Sequence, residues 1–133
     1  MTLVDTSVLL DVLLDDPSYG APSETALREA RRLNGIVVCE TVIAEIRPVF
    51  HDDGELLSFL SDLGLTYRPC PQEAAILAGR MYAAYLQNRG AAKRVVPDFL
   101  IGAHAVVGGY TLLARDRGYY RRYFQDLTVI SPV

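Results

Sequence analysis

Hydrophobic positions along this chain follow two rhythms, short β-branched runs and longer segments whose apolar residues recur at helical spacing. Residues 2–4 form a β-prone run that ends at Asp5. Residues 8–14 then set Val8 against Val12, Leu9 against Leu13 and Leu10 against Leu14, which predicts a buried helix capped by Asp5, Thr6 or Ser7. Breakers at 15–17 and 20–22 precede a second predicted helix over 23–34, with Ser23 as its N-cap and Asn34-Gly35 as its stop. Residues 36–39 are too few and too β-branched for a helix and read as a buried parallel strand. Helical pattern returns over 41–50, with Val42, Ile46 and Val49 on one face, and over 55–63 before Gly64. A short strand over 65–68 leads to a long helix over 71–87, opened by Pro71. Residues 88–96 read as a basic loop, Pro97 opens a helix over 98–107 closed by Gly108-Gly109, and 111–114 and 127–130 complete the strands.

Short apolar strands alternating with helices imply an α/β fold, a three-layer α/β/α sandwich around a central parallel sheet of four to five strands. Strand order cannot be read from the pattern. Asp5 follows the first strand and Asp116 closely follows the strand at 111–114, so both belong to the carboxyl edge of the sheet. That edge binds ligands in open parallel sheets, at the point where strand order reverses.

With 133 residues, half of them hydrophobic, the chain is expected to form one domain over 1–133 whose core needs no metal or disulfide staple. The start of the sequence has neither a charged region nor an apolar run of the kind that directs export or spans a membrane, which points to the cytoplasm. Cys39 and Cys70 lack the spacing of a zinc or redox pair and are expected to be small core residues. A net charge of −3 argues against nucleic-acid binding by a broad basic surface, so a polyanion would need a local site. Residues 115–123 supply one, with four arginines among tyrosines against a single aspartate, and Arg89, Lys93 and Arg94 form a smaller cluster.

The candidate chemistry lies in four separated acids. Each has an ordinary explanation alone: Asp5 as a helix cap, Glu45 on the inward face of its helix in a salt bridge, Asp98 favoured by a helix dipole, Asp116 in an exposed turn between arginines. Taken together, all four sit at strand ends, helix starts or an inward helix face. Converging carboxylates repel one another unless a cation neutralises them, and Mg²⁺ or Mn²⁺ with hard oxygen ligands is the simplest neutraliser. Such a cation activates water and stabilises charge on a phosphorane, which suits phosphodiester hydrolysis. No histidine is needed, and His104, inside an apolar helix, is expected to be a satisfied core residue.

Four motifs in order carry a family resemblance. They are Val4-Asp5-Thr6-Ser7-Val8-Leu9-Leu10-Asp11, Thr41-Val42-Ile43-Ala44-Glu45, Pro97-Asp98-Phe99-Leu100-Ile101-Gly102-Ala103-His104-Ala105, and Leu112-Leu113-Ala114-Arg115-Asp116-Arg117-Gly118-Tyr119-Tyr120. From first strand to last, the chain resembles a PIN domain of the VapC toxin type. The resemblance implies an endoribonuclease with Mg²⁺ or Mn²⁺ held by Asp5, Glu45, Asp98 and Asp116, and with Thr6 or Ser7 supplying a hydroxyl or backbone group near the metal. It also implies first and fourth strands side by side, a homodimer, and silencing by a VapB-type antitoxin laid over the active site. Two positions depart from the pattern: Ala114 stands where Thr or Ser is frequent, and Tyr119 where some members carry a further acid. Arg115 and Arg117 are placed to contact RNA phosphates, and Tyr119 or Tyr120 to stack a base, the alternative being that the tyrosines pack their helix on the sheet. The competing functions are a PIN-like scaffold that binds RNA or protein without cutting, and a phosphoacceptor receiver domain. The receiver needs a lysine near the last strands, whereas Lys93 lies before the Asp98 helix.

Overall fold

The computed structural model describes residues 1–89, 96–115 and 118–132. In chain order the elements are β1 (Thr2–Val4), α1 (Thr6–Leu13), α2 (Gly20–Leu33), β2 (Ile36–Val38), α3 (Glu40–Ile46), α4 (Asp53–Leu63), β3 (Leu65–Tyr67), α5 (Gln72–Arg89), α6 (Val96–Gly108), β4 (Thr111–Leu113), α7 (Tyr119–Tyr123) and β5 (Val129–Ile130). The five strands form one sheet in the order β3-β2-β1-β4-β5, and every pairing is parallel. The three-layer parallel architecture expected from the pattern is therefore present, with β1 and β4 adjacent. The strand order also excludes the receiver domain, whose sheet runs 2-1-3-4-5.

Strands β1 and β2 are buried along their whole length, which requires helices over both faces of the sheet. Leu3, Val4, Val37, Val38, Leu112 and Leu113 meet Val8, Leu9, Leu27, Val42, Ile46 and Ile101 in the core. Beside it, Phe99 sits among the rings of Tyr82, Tyr85, Tyr119, Tyr123 and Phe124, with centroids 5.3–6.1 Å away. That cluster ties α5, α6 and α7 together and anchors the residue next to Asp98. Gly102 permits the contact, because a Cβ there would lie 2.6 Å from the Phe124 ring. No helix among the described residues is long and apolar enough to cross a membrane.

Several boundaries differ from those the pattern predicts. Helix α2 begins at Gly20, three residues before the expected cap, because the Asp16 carboxylate accepts the N–H groups of Ser18 and Tyr19 and turns the chain early. Ser23 is then an interior helix residue, fully buried, and its hydroxyl serves Asp11. Helix α3 stops at Ile46, and Arg47–Val49 continues as a 3₁₀ turn, since Pro48 lacks an N–H and restricts the residue before it. Helix α4 begins at Asp53 with Asp52 as its cap, and α5 runs two residues past Gln87, so the expected loop over 88–96 is partly helical. Its remainder, with Lys93 and Arg94, lies outside the described residues.

Candidate functional site

Strand order reverses between β1 and β4, since the chain builds outward through β2 and β3 on one side and resumes on the other. Their carboxyl ends open into a pocket of about 400 Å³ lined by Asp5, Thr6, Ser7, Leu10, Glu45, Asp98, Arg115, Tyr119 and Tyr120. Three of the four expected acids thus reach one space, from the β1–α1 junction, from α3 and from the first turn of α6. Asp116 and Arg117 lie outside the described residues.

Asp5 is 5% exposed, and its main-chain N–H donates to Leu113 O at 2.9 Å, which fastens it to the end of β4. It is the N-cap of α1: one carboxylate oxygen accepts the Ser7 N–H at 3.3 Å and also the Ser7 hydroxyl. The other oxygen accepts the Tyr120 hydroxyl at 3.2 Å. Capping and pocket lining are therefore held by the same residue, though the sequence offered them as alternatives. Three of the roughly four lone-pair sites of the carboxylate are occupied by these donors, which leaves one for a ligand.

Glu45 was expected inward and is exposed. Its neighbours Val42 and Ile46 carry the buried face of α3, and the helix ends too soon for Val49 to extend that face around Glu45. The side chain stands at the pocket rim, where Glu45 Oε1 accepts the Thr6 hydroxyl at 2.7 Å, so its partner is a hydroxyl and not an arginine. Asp98 is partly buried beside Phe99. Among the described residues no three acidic, histidine or cysteine side chains stand close enough to form a ready-made metal cage. The donor set is nonetheless all hard oxygen, carboxylates with the hydroxyls of Thr6 and Ser7, which fits Mg²⁺ or Mn²⁺ in preference to a softer ion.

Arg115 is not a free basic side chain. Its Nη2 donates to Asp11 Oδ1 at 2.8 Å, its guanidinium lies over the Tyr19 ring at 4.2 Å, and its main-chain N–H donates to Ser7 Oγ at 3.3 Å. Tyr120 is 3% exposed, so its hydroxyl, not an open ring face, is what it contributes to the site. Ala114 is fully buried, with its N–H on Ile130 O. Neither the Tyr120–Asp5 bond nor the Asp11–Arg115 pair was read from the sequence. The only available signal was Asp11 itself, an acid three residues after Val8 on an apolar helix.

The remaining candidates stand apart from the pocket lining. Both cysteines are unpaired thiols, Cys39 buried and Cys70 partly so, and burial pushes each above its usual range. His104 is 2% exposed against Tyr110, as expected of a core residue, but its Nδ1 has no partner among the described residues, so it is not the satisfied histidine that was expected.

Comparison with known proteins agrees with this architecture. The PIN domain family model matches residues 2–125. Among solved structures, VapBC2 from Rickettsia felis bound to a promoter DNA fragment is similar, at 18% identity and a TM-score of 0.71 over 98% of this chain and 97% of that one. FitAcB from Neisseria gonorrhoeae is similar at 20% identity and a TM-score of 0.67, covering 99% and 98% of the two chains. A toxin–antitoxin complex from Klebsiella pneumoniae is similar at 18% identity and a TM-score of 0.67, covering 100% and 98%. At such identities the likeness concerns the fold. No curated protein matches the chain. The family model spans nearly the whole sequence, and the chain belongs to the PIN domain family.

Proposed function

We propose that this protein is a metal-dependent endoribonuclease, the toxin of a VapBC-type pair, built as one PIN domain over residues 1–133. Asp5, Glu45, Asp98 and Asp116 hold Mg²⁺ or Mn²⁺, with Thr6 and Ser7 in support. The observation that carries this reading is the meeting of Asp5, Glu45 and Asp98, from three separate elements, in one pocket where strand order reverses. When bound there, a divalent cation lowers the pKa of a water molecule and offsets charge on the phosphoryl oxygens. Within the chain, Ser7 and Tyr120 fix the rotamer of Asp5, and Thr6 fixes that of Glu45, so the two carboxylates face the pocket without reorganisation. Arg115 and Arg117 supply positive charge near the RNA backbone. The VapBC and FitAcB structures among the similar folds support a VapB-type antitoxin as partner, and the family resemblance implies a homodimer, which we place in the cytoplasm.

The test is cleavage of a pool of structured RNA by the purified protein with Mg²⁺, with Mn²⁺ and with EDTA, alongside Asp5→Asn and Asp98→Asn. Cutting in either metal that EDTA and both substitutions abolish is expected. A folded protein that binds RNA without cutting it, or cuts without metal, would transfer the assignment to a non-cleaving scaffold or to different chemistry.

A further inference from the structure

Beside the acidic site lies an ion pair that the metal chemistry does not use. Asp11, in the middle of α1, is 3% exposed, and its two oxygens accept Arg115 Nη2 at 2.8 Å and Ser23 Oγ at 2.7 Å. The first turn of α2 closes over it, since a Cβ on Gly20 would stand 3.3 Å from Asp11 O. Replacing such a pair with apolar residues is often neutral or stabilising, so stability alone is a weak reason for it. What the pair does achieve is orientation. Asp11 on one side and the Tyr19 ring on another hold the guanidinium, while the Arg115 main chain is bonded to Ser7. So restrained, Arg115 lines the pocket with Asp5, Glu45 and Asp98, yet its Nε is buried and has no acceptor among the described residues.

The guanidinium has donors beyond the one given to Asp11, and a phosphoryl oxygen is among the strongest acceptors they can take. The neighbouring carboxylates would repel a phosphate, and a directed cationic donor offsets that repulsion. We propose that Arg115 binds a phosphoryl oxygen through the guanidinium edge that lines the pocket, and that Asp11 is a positioning residue acting through Arg115. The proposal rests on the nuclease reading only for the identity of the molecule that brings the phosphate.

The experiment uses the full ¹⁵N-labelled chain in EDTA, titrated with inorganic phosphate and then with a single-stranded RNA oligonucleotide. The Arg115 Nε–H signal is identified by its loss in Arg115→Lys. Phosphate is expected to shift that signal, and Asp11→Asn to weaken phosphate and RNA binding about tenfold, the scale of one charge-assisted hydrogen bond. Asp11→Asn combined with Arg115→Lys should bind no worse than Arg115→Lys alone. Tyr19→Leu, at an exposed ring, should weaken binding about threefold, and it carries the decision if Asp11→Asn does not fold. A signal unmoved by phosphate, additive losses, or tighter binding by Asp11→Asn would overturn the proposal. Cleavage of RNA with Mg²⁺ or Mn²⁺, measured in parallel, separates the two claims. Cutting with a silent Arg115 signal removes this inference alone, and a responding signal without cutting removes the nuclease reading alone.

Discussion

One hydroxyl connects the C-terminal helix to the first acid of the pocket. Tyr120→Phe deletes the bond to Asp5 while the ring stays buried. Metal-dependent RNA cleavage is expected to fall about tenfold, the lower end of what loss of a ligand's outer partner costs, with the thermal midpoint nearly unchanged. A second prediction concerns His104, whose burial disfavours the imidazolium and holds it below its ordinary value of 6.5, against a smaller opposing pull from Glu40. An unfolded chain takes up that proton near pH 6.5, before the folded one does, so between the two pKa values the unfolded state carries more protons. Stability from this residue is full above that window and is lost as pH falls through it. Urea midpoints measured from about pH 7.5 to 5.5 should decline, and His104→Leu should flatten the decline. At this scale the types and positions of Asp5 and Asp98 were legible because each sits at an element boundary. Glu45 was misjudged because its helix is shorter than its apolar spacing suggested. The Tyr120 bond joins residues 115 apart and leaves no local trace.

Among the elements, α6 depends on a missing side chain. Gly102→Ala would drive a Cβ into the Phe124 ring and to 3.1 Å from Tyr120 Cδ1. It should cost about 1–3 kcal/mol in urea unfolding and lower cleavage as well, since Tyr120 bonds Asp5. Helix α4 offers a contrast remote from the pocket: Asp52 accepts the Glu55 N–H at 2.8 Å, and Asp52→Ala should cost about 1 kcal/mol without changing cleavage. Helix and strand identities were readable because short β-branched runs and 3.6-residue spacing differ plainly. Ends were harder, because capping depends on which side chain wins. Asp16 displaced Ser23 as the start signal of α2, and Pro48 ended α3 inside an unbroken apolar pattern.

For the molecule as a whole, a ligand that binds only the folded pocket must raise the unfolding temperature. Millimolar Mn²⁺ is expected to raise the thermal midpoint of the wild-type chain, and Asp5→Asn to abolish the shift, which scanning fluorimetry reads directly. The parallel three-layer class was legible in the alternation of elements, but strand order was not, because nothing local records which strand β1 chooses as its second neighbour. That choice governs when the site comes into being. Asp5 leaves the ribosome more than one hundred residues ahead of Leu113 and Tyr120, which fasten it, and Ser7 as far ahead of Arg115. A nascent chain therefore carries Asp5 through the synthesis of every element from α1 to α6 without a finished pocket around it. A site with this wiring takes shape only after β4 has emerged and docked beside β1.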